Sequence, residues 1–411
     1  MSEAVIKGIA GKWMDFRVFR GFRGFRVFRV LREARSEYLV PVVAGVFSYN
    51  LSRFFMRKTR SFGVDMHKRE ATKVPEAVGL GCGISFICSL FWVAMSLPEH
   101  KEPLLMSACT VTLNILLGYI DDTMELNWLC KLVFPLIALS PLMLTYSGST
   151  SLQVPFGGCI ELGWVFYAAL LVLSIFFTNA INILSGINGV ESGQVLVMSA
   201  FLVVDRVVFP DTKGSLLILL SLSLFSCTFG LFLLNRYPSQ CFVGDTFCYF
   251  SGSSLMCLGL LGGCSKTVFS FFLPQLVNLA VSVPQLGGVV PCPRHRMPGL
   301  CAVDGGVLLV PSQVKIKHSE AFKSGRLMRW VVTLLCRLGL AEVSGWTGGE
   351  TLYSLMKRNK AVLLTNPTLL NIILLWGGPM TEYALFKAAM GVQALACALV
   401  ILLKALCVWY G

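Results

Sequence analysis

Ten long apolar runs set the limits on this chain, at residues 38–56, 77–97, 104–120, 131–147, 162–184, 192–210, 215–234, 247–263, 267–290 and 382–409. A helix needs about 20 mostly apolar residues to cross a bilayer, and inside hydrocarbon its backbone must satisfy its own hydrogen bonds. The pattern predicts an all-α polytopic membrane protein of about ten transmembrane helices. Composition agrees: 55% of the 411 residues are hydrophobic and 14% charged, whereas a soluble domain carries about 25% charged residues. A water-soluble globule is excluded.

The formal charge of +13 is unevenly placed. The loops at 57–76, 121–131, 185–191, 235–246 and 291–381 hold about twenty Lys and Arg, while the alternate loops hold four, Lys101, Arg206, Lys213 and Lys266. By the positive-inside rule the first set faces the cytoplasm. Residues 1–37 are a separate case, a low-complexity Phe/Arg extension with no signal-peptide pattern. Its FRVFRGFRGFRVFRVLR repeat places arginine every third residue and so cannot keep the arginines on one helical face. Ten spans would put this repeat on the lumenal side, against the rule. The 15 cysteines lie mostly in apolar runs, where a thiol acts as a small hydrophobe, and do not suggest disulfides.

Three further units follow: a nine-helix membrane core over 38–290, a loop subdomain at 291–381, and the last span with the C-terminus at 382–411. The subdomain is expected to be a small mixed α/β unit on the cytosolic side that recognises the donor. Within it, RLMRWVVTLLCRLGL (326–340) carries three arginines and reads as an interfacial helix. TLLNIILLW (368–376) is too short to span and reads as a buried strand.

Polar groups at the ends of spans are costly and so nominate a site. Four clusters fall on the inferred cytoplasmic side. GYIDDTMELNWLCKL (118–132) sets Asp121 beside Asp122 with Lys131 beyond; adjacent carboxylates call for a cation or a shared proton. FFTNAINILSGINGVESG (176–193) places Asn179, Asn182 and Gly186 on one helical face, then a glycine turn that directs Asn188 to the surface. NRYPSQCFVGDTFCYFSG (235–252) sets Asp245 after Gly244, either as a ligand or as an N-cap for the next helix. VPQLGGVVPCPRHRMP (283–298) braces Arg294, His295 and Arg296 with prolines, and guanidinium forks suit phosphate. Carboxylates and amides for a hard cation, with cations for phosphate, fit Mg²⁺-assisted phosphoryl transfer. No GxxxxGK[ST] loop is present, so an ATP-driven engine is not indicated.

From Val64 to the last span these motifs resemble the eukaryotic, dolichol-dependent branch of the polyprenyl-phosphate hexose-1-phosphate transferase superfamily. The resemblance lies in DDTMELNWLCK, NAINILSGINGVESGQ, NRYPSQCFVGDTFCYFSG and PQLGGVVPCPRHRMP. It implies a multi-pass protein of the endoplasmic reticulum membrane with a cytosol-facing active site. There the phosphate of dolichyl phosphate attacks the β-phosphorus of UDP-N-acetylglucosamine and UMP leaves. Position by position, Asn182 and Asp245 match the Mg²⁺ ligands, Asp121 and Asp122 the acidic pair, and Lys131 a lysine close to the phosphates. Val64, Asp65, Met66, Glu76 and Asn188 match the nucleotide contacts, although the family has Gln-Asp-Leu where this chain has Val64-Asp65-Met66. Arg294, His295 and Arg296 match the group that holds the sugar and diphosphate. For the lipid phosphate the resemblance implies Lys131 and the stretch Ile175, Phe176, Phe177, Thr178, Asn179, Ala180, Ile181, Asn182 and Ile183. Because the acceptor is already an ionised phosphate, a direct displacement needs no strong base, and Asp121 and Asp122 are expected to order the metal site or the acceptor. The implied partners are the two substrates and the bilayer, with no nucleic acid; a homodimer is left open. Three other readings remain for comparison: a transporter, a non-catalytic scaffold, and a bacterial-type transferase using undecaprenyl phosphate.

Overall fold

The computed structural model describes residues 39–410 except 68–71, 125, 147, 149, 155–157, 294, 304–305, 318–324, 347–353, 356–357 and 360. The Phe/Arg repeat and Arg294 therefore lie outside the described residues.

Every apolar run carries a helix. In chain order these are α1 (Val40–Lys58), α2 (Gly79–Ser96), α3 (Lys101–Met124), α4 (Trp128–Leu144), α5 (Trp164–Ile183), α6 (Val190–Val208), α7 (Gly214–Asn235), α8 (Gly244–Leu261), the pair α9 (Ser265–Phe271) and α10 (Leu273–Leu286), and finally the long C-terminal helix Glu382–Tyr410. Among the described residues five of these are long and apolar enough to cross a membrane, six if the 56° bent pair α9–α10 counts as one span. The architecture is that of a polytopic, mostly helical membrane protein. The bend in the pair falls at Phe272-Leu273-Pro274, where proline has no N–H to continue the α9 ladder.

Helix α8 sits at the centre, buried from Thr246 through Leu260 and packed on α2, α3, α5 and α7. Glycines permit the close approach. A Cβ on Gly118 of α3 would lie 2.6 Å from the Asp245 carbonyl oxygen, and one on Gly252 of α8 would collide with the Phe177 carbonyl of α5. In lipid, where apolar burial gives helices little reason to associate, such backbone contact and interhelical hydrogen bonds do more of the work. One such bond network joins three helices: the Gln275 amide donates to Gln194 and to Gln393 at 2.6 and 2.8 Å. Another lies at the opposite end of the bundle from the cavity described below. Buried Asp205 pairs with Arg206 and, at 2.7 Å, with Lys404 of the last helix, while Arg206 also reaches Asp211.

Among the described residues, strands occur as four antiparallel pairs. β1 (Phe62–Asp65) pairs with β2 (Thr72–Pro75), and β3 (Ser151–Val154) with β4 (Gly158–Glu161). Between α10 and the last helix, β5 (Gly299–Val303) pairs with β6 (Gly306–Val310), and β7 (Gln313–Lys317) with the distant β8 (Ala361–Thr365). Helix α11 (Gly325–Arg337) covers the β7–β8 pair, burying Met328, Val332 and Leu335 in a separate core with Val314, Ile316, Val362 and Leu364. This segment thus mixes helix and strand.

One expectation fails here. Residues 368–376 form helix α12 (Leu369–Gly377), not a strand. Short apolar runs have no readable period, and the neighbourhood decides: Asn371 bonds both Ser312 and the Arg296 carbonyl, while Leu370 and Leu374 pack against Leu385 of the last helix.

Candidate active site

A cavity of about 650 Å³ opens where α3, α4, α5, α6 and α8 end on one side of the bundle. Ten of the sequence-nominated residues line it: Val64, Asp65, Met66, Glu76, Asp121, Asp122, Lys131, Asn182, Asn188 and Asp245. They come from separate segments, so their convergence is a property of the fold.

The two adjacent aspartates divide their work. Asp122, in the last turn of α3, caps another helix: its Oδ1 accepts from Asp245 N at 2.7 Å, and its Oδ2 accepts from Thr246 N at 3.0 Å and Thr246 Oγ1 at 2.6 Å. These are otherwise unsatisfied donors at the start of α8, where a carboxylate is favoured by the helix dipole. Gly244, with φ +75°, is required there, because a Cβ would run into the Asp122 carboxylate. The N-cap reading of Asp245 is thereby corrected: Asp122 supplies the cap, and the Asp245 side chain is released into the cavity.

Asp121 turns the other way. Its Oδ2 accepts from Tyr249 Oη at 2.7 Å and pairs with Lys131 Nζ at 2.9 Å, while its Oδ1 accepts from Leu126 N. Lys131 lies in the first turn of α4, whose start is fixed by Asn127 accepting from Cys130 N. The ammonium thus stands 3.9 Å from Asp245 Oδ2. Across from it, Asn182 at the end of α5 donates to Asp245 Oδ1 in a short contact.

At the other end of the cavity Asn188 Nδ2 donates to Asp65 Oδ2 at 3.2 Å, and Asp65 Oδ1 accepts from His67 N. Glu76 accepts from Ser61 Oγ, and burial first, then the charge of Asp122, pushes its carboxyl above the ordinary carboxylate value. Val64 and Met66 are exposed at the mouth.

Other expectations fare less well. Helix α5 ends at Ile183, so Gly186 lies in the following turn and does not share a helical face with Asn179 and Asn182. Asn179 spends its amide on Ile175 O and Thr178 Oγ1. Of the Ile175–Ile183 stretch only Asn182 lines the cavity. Phe177, Thr178, Ala180 and Ile181 are buried, whereas Ile175, Phe176, Asn179 and Ile183 are half-exposed on the Asn182 face. His295 is exposed and Arg296 half-buried; neither lines the cavity, where Met297 takes their place against Gly186. One guanidinium nitrogen of Arg296 is buried without a hydrogen-bond partner among the described residues.

Some residues were not foreseen. Glu382, at the start of the last helix, accepts from Asn188 N at 2.7 Å, and Glu191 accepts from Gly186 N. Both carboxylates brace the glycine turn. A signal existed in VESG and TEY, carboxylates at the very start of apolar runs.

Among the described residues, six carboxylates (Asp65, Glu76, Asp121, Asp122, Glu191, Asp245) line the cavity against Lys131 and His67. No cluster of three or more His, Cys, Asp or Glu ligands occurs among the described residues. Such a cavity repels a diphosphate unless a divalent cation intervenes, and a hard cation that keeps water and phosphate oxygens needs only one or two protein ligands. Asp245 and Asn182 offer oxygen donors that fit.

The family model described as glycosyl transferase family 4 matches residues 104–263, the stretch from α3 through α8 that carries Asp121, Asp122, Lys131, Asn182, Asn188 and Asp245. This match and the apolar helices point to a membrane-embedded sugar transferase. Named relatives narrow this. The chain is 33% identical to the UDP-N-acetylglucosamine–dolichyl-phosphate N-acetylglucosaminephosphotransferase of Schizosaccharomyces pombe, over 88% of this chain and 91% of that one. It is 34% identical to the Dictyostelium discoideum enzyme of that name, over 69% and 80%, and 33% identical to the Saccharomyces cerevisiae one, over 68% and 63%. The chain belongs to the UDP-N-acetylglucosamine–dolichyl-phosphate N-acetylglucosaminephosphotransferase family.

Proposed function

We propose that this protein transfers N-acetylglucosamine-1-phosphate from UDP-N-acetylglucosamine to dolichyl phosphate, releasing UMP and leaving N-acetylglucosaminyl-diphosphodolichol, at the cytosolic face of the endoplasmic reticulum membrane. The carrying observation is the Lys131–Asp245–Asn182 cluster, set where the half-exposed face of α5 meets a cavity wide enough for a nucleotide. A lipid phosphate can approach along that face while the donor enters from the mouth. The ten helical runs and the basic loops on the cavity side support ten spans and the cytosolic orientation.

Asn182 and Asp245 would hold Mg²⁺, which when bound offsets diphosphate charge. Lys131, kept in place by Asp121, neutralises phosphate oxygens in the loose transition state, where positioning and electrostatics dominate. The acceptor phosphate is its own nucleophile, so no side chain has to remove a proton from it. Both Asp122 oxygens are occupied by α8 donors and both Asp121 oxygens by Tyr249, Lys131 and Leu126. That occupancy supports direct displacement and leaves neither aspartate suited to forming a phospho-enzyme. Asn188, Asp65 and Glu76 receive the nucleotide.

The test is UMP release by purified protein given UDP-N-acetylglucosamine, Mg²⁺ and either dolichyl or undecaprenyl phosphate. Release with the dolichyl lipid is expected. Preference for the undecaprenyl lipid would favour a bacterial-type reaction, and no release with either would refute the proposal.

A further inference from the structure

Helix α11 has two apolar faces. One, formed by Met328, Val332 and Leu335, is consumed by the β7–β8 core. The other consists of Leu327, Trp330, Leu334 and, in the turn that continues the helix, Leu338, all exposed, with Trp330 at 63%. At 3.6 residues per turn this second stripe lies roughly 120° from the buried one, so the subdomain core does not account for it. Beside its C-terminal end stands a second exposed indole, Trp376, whose Nε1 donates to Gly339 O at 2.7 Å. Arg326 and Arg337 are exposed and flank the Trp330 edge of the stripe.

We propose that this outward stripe is a membrane-docking face, seated at the headgroup level of the same bilayer the bundle spans, with anionic phospholipid as its occupant. The proposal rests on the membrane-spanning reading of the chain and not on the identity of the substrates. Three observations favour lipid over another occupant. Indoles beside leucines, flanked by arginines, match the composition of helices that lie in the interface. The two arginines complement anionic headgroups. Helix α11 also contacts α10, the second arm of the bent span, so it is held close to where that span leaves the membrane. Docked in this way, α11 would fix the height of the β7–β8 unit above the bilayer.

The test is site-specific photocrosslinking of the full chain in nanodiscs containing phosphatidylserine, with p-benzoylphenylalanine replacing Trp330 in one variant and Lys315, on the outward side of β7, in a control. Intact mass should rise by one phospholipid at position 330 and not at 315, with a higher yield when phosphatidylserine is present. A covalent dimer through position 330, the absence of any lipid adduct there, or equal lipid adducts at both positions would each overturn the proposal. UMP release by both variants verifies that they are folded; if the chain lacks that activity, unchanged thermal unfolding serves the same purpose, so failure of the substrate assignment is distinguishable from failure of the docking face.

Discussion

Replacing Asp122 with Asn tests how the acidic pair is divided. The variant keeps size and one carbonyl oxygen, which can still accept from Asp245 N. The amide nitrogen then stands where Oδ2 accepted from Thr246 N at 3.0 Å and from Thr246 Oγ1 at 2.6 Å. The hydroxyl can turn to accept instead, but the backbone N–H meets a second donor. An orphaned buried N–H costs about 1–3 kcal/mol. Loss of the charge at the α8 N-terminus adds about 0.3–1 kcal/mol. The sum, about 1.3–4 kcal/mol at the turn that carries Asp245, corresponds to a fall in turnover of about 9-fold to about 900-fold if all of it appears as misplacement of Asp245. The assay is UMP release against Mg²⁺ concentration, with thermal unfolding in detergent alongside. Activity should fall and the Mg²⁺ requirement rise. Turnover and Mg²⁺ dependence within twofold of the parent would show that Asp122 does not position Asp245.

Three other outcomes follow from the same structure. Lys131→Met should reduce turnover by at least about 100-fold, since it removes a charge from phosphate and leaves buried Asp121 uncompensated; single-turnover kinetics will show whether the chemical step slows. Asp205→Asn should lower stability by less than the about 3–5 kcal/mol of a fully unpaired buried charge, since Arg206 loses one carboxylate but keeps Asp211, while turnover per folded molecule stays unchanged, as measured by unfolding and active-fraction assays. Gly252→Ala should force α8 away from the Phe177 carbonyl and lose about 1–3 kcal/mol, seen as a lower unfolding temperature.

Much of this was legible in the sequence because hydrocarbon restricts what a chain can do. Every apolar run became a helix, and the polar residues that interrupt run ends, Asp121, Asp122, Asn182 and Asp245, meet in one cavity. The division of labour within the aspartate pair was not legible, since it depends on Gly244 leaving room for a carboxylate from another helix. Nor was the turn braced by Glu191 and Glu382, because a single carboxylate at a span start looks like an ordinary helix beginning. The mistaken strand at 368–376 has a similar cause. An apolar nonapeptide has no period to read, and its helix is selected by Asn371 and the leucines it brings against the last span.

If Asp245 and Asn182 make this acidic cavity receptive to a diphosphate by holding Mg²⁺, binding of the nucleotide sugar must depend on the metal and on Asp245. Calorimetric titration of UDP-N-acetylglucosamine into the purified protein, with and without Mg²⁺, in the parent and in Asp245→Ala, tests it directly. The parent should bind the nucleotide sugar more tightly with Mg²⁺ present, and Asp245→Ala should lose that increment. Affinity independent of Mg²⁺ in the parent, or an undiminished increment in the variant, would contradict the account.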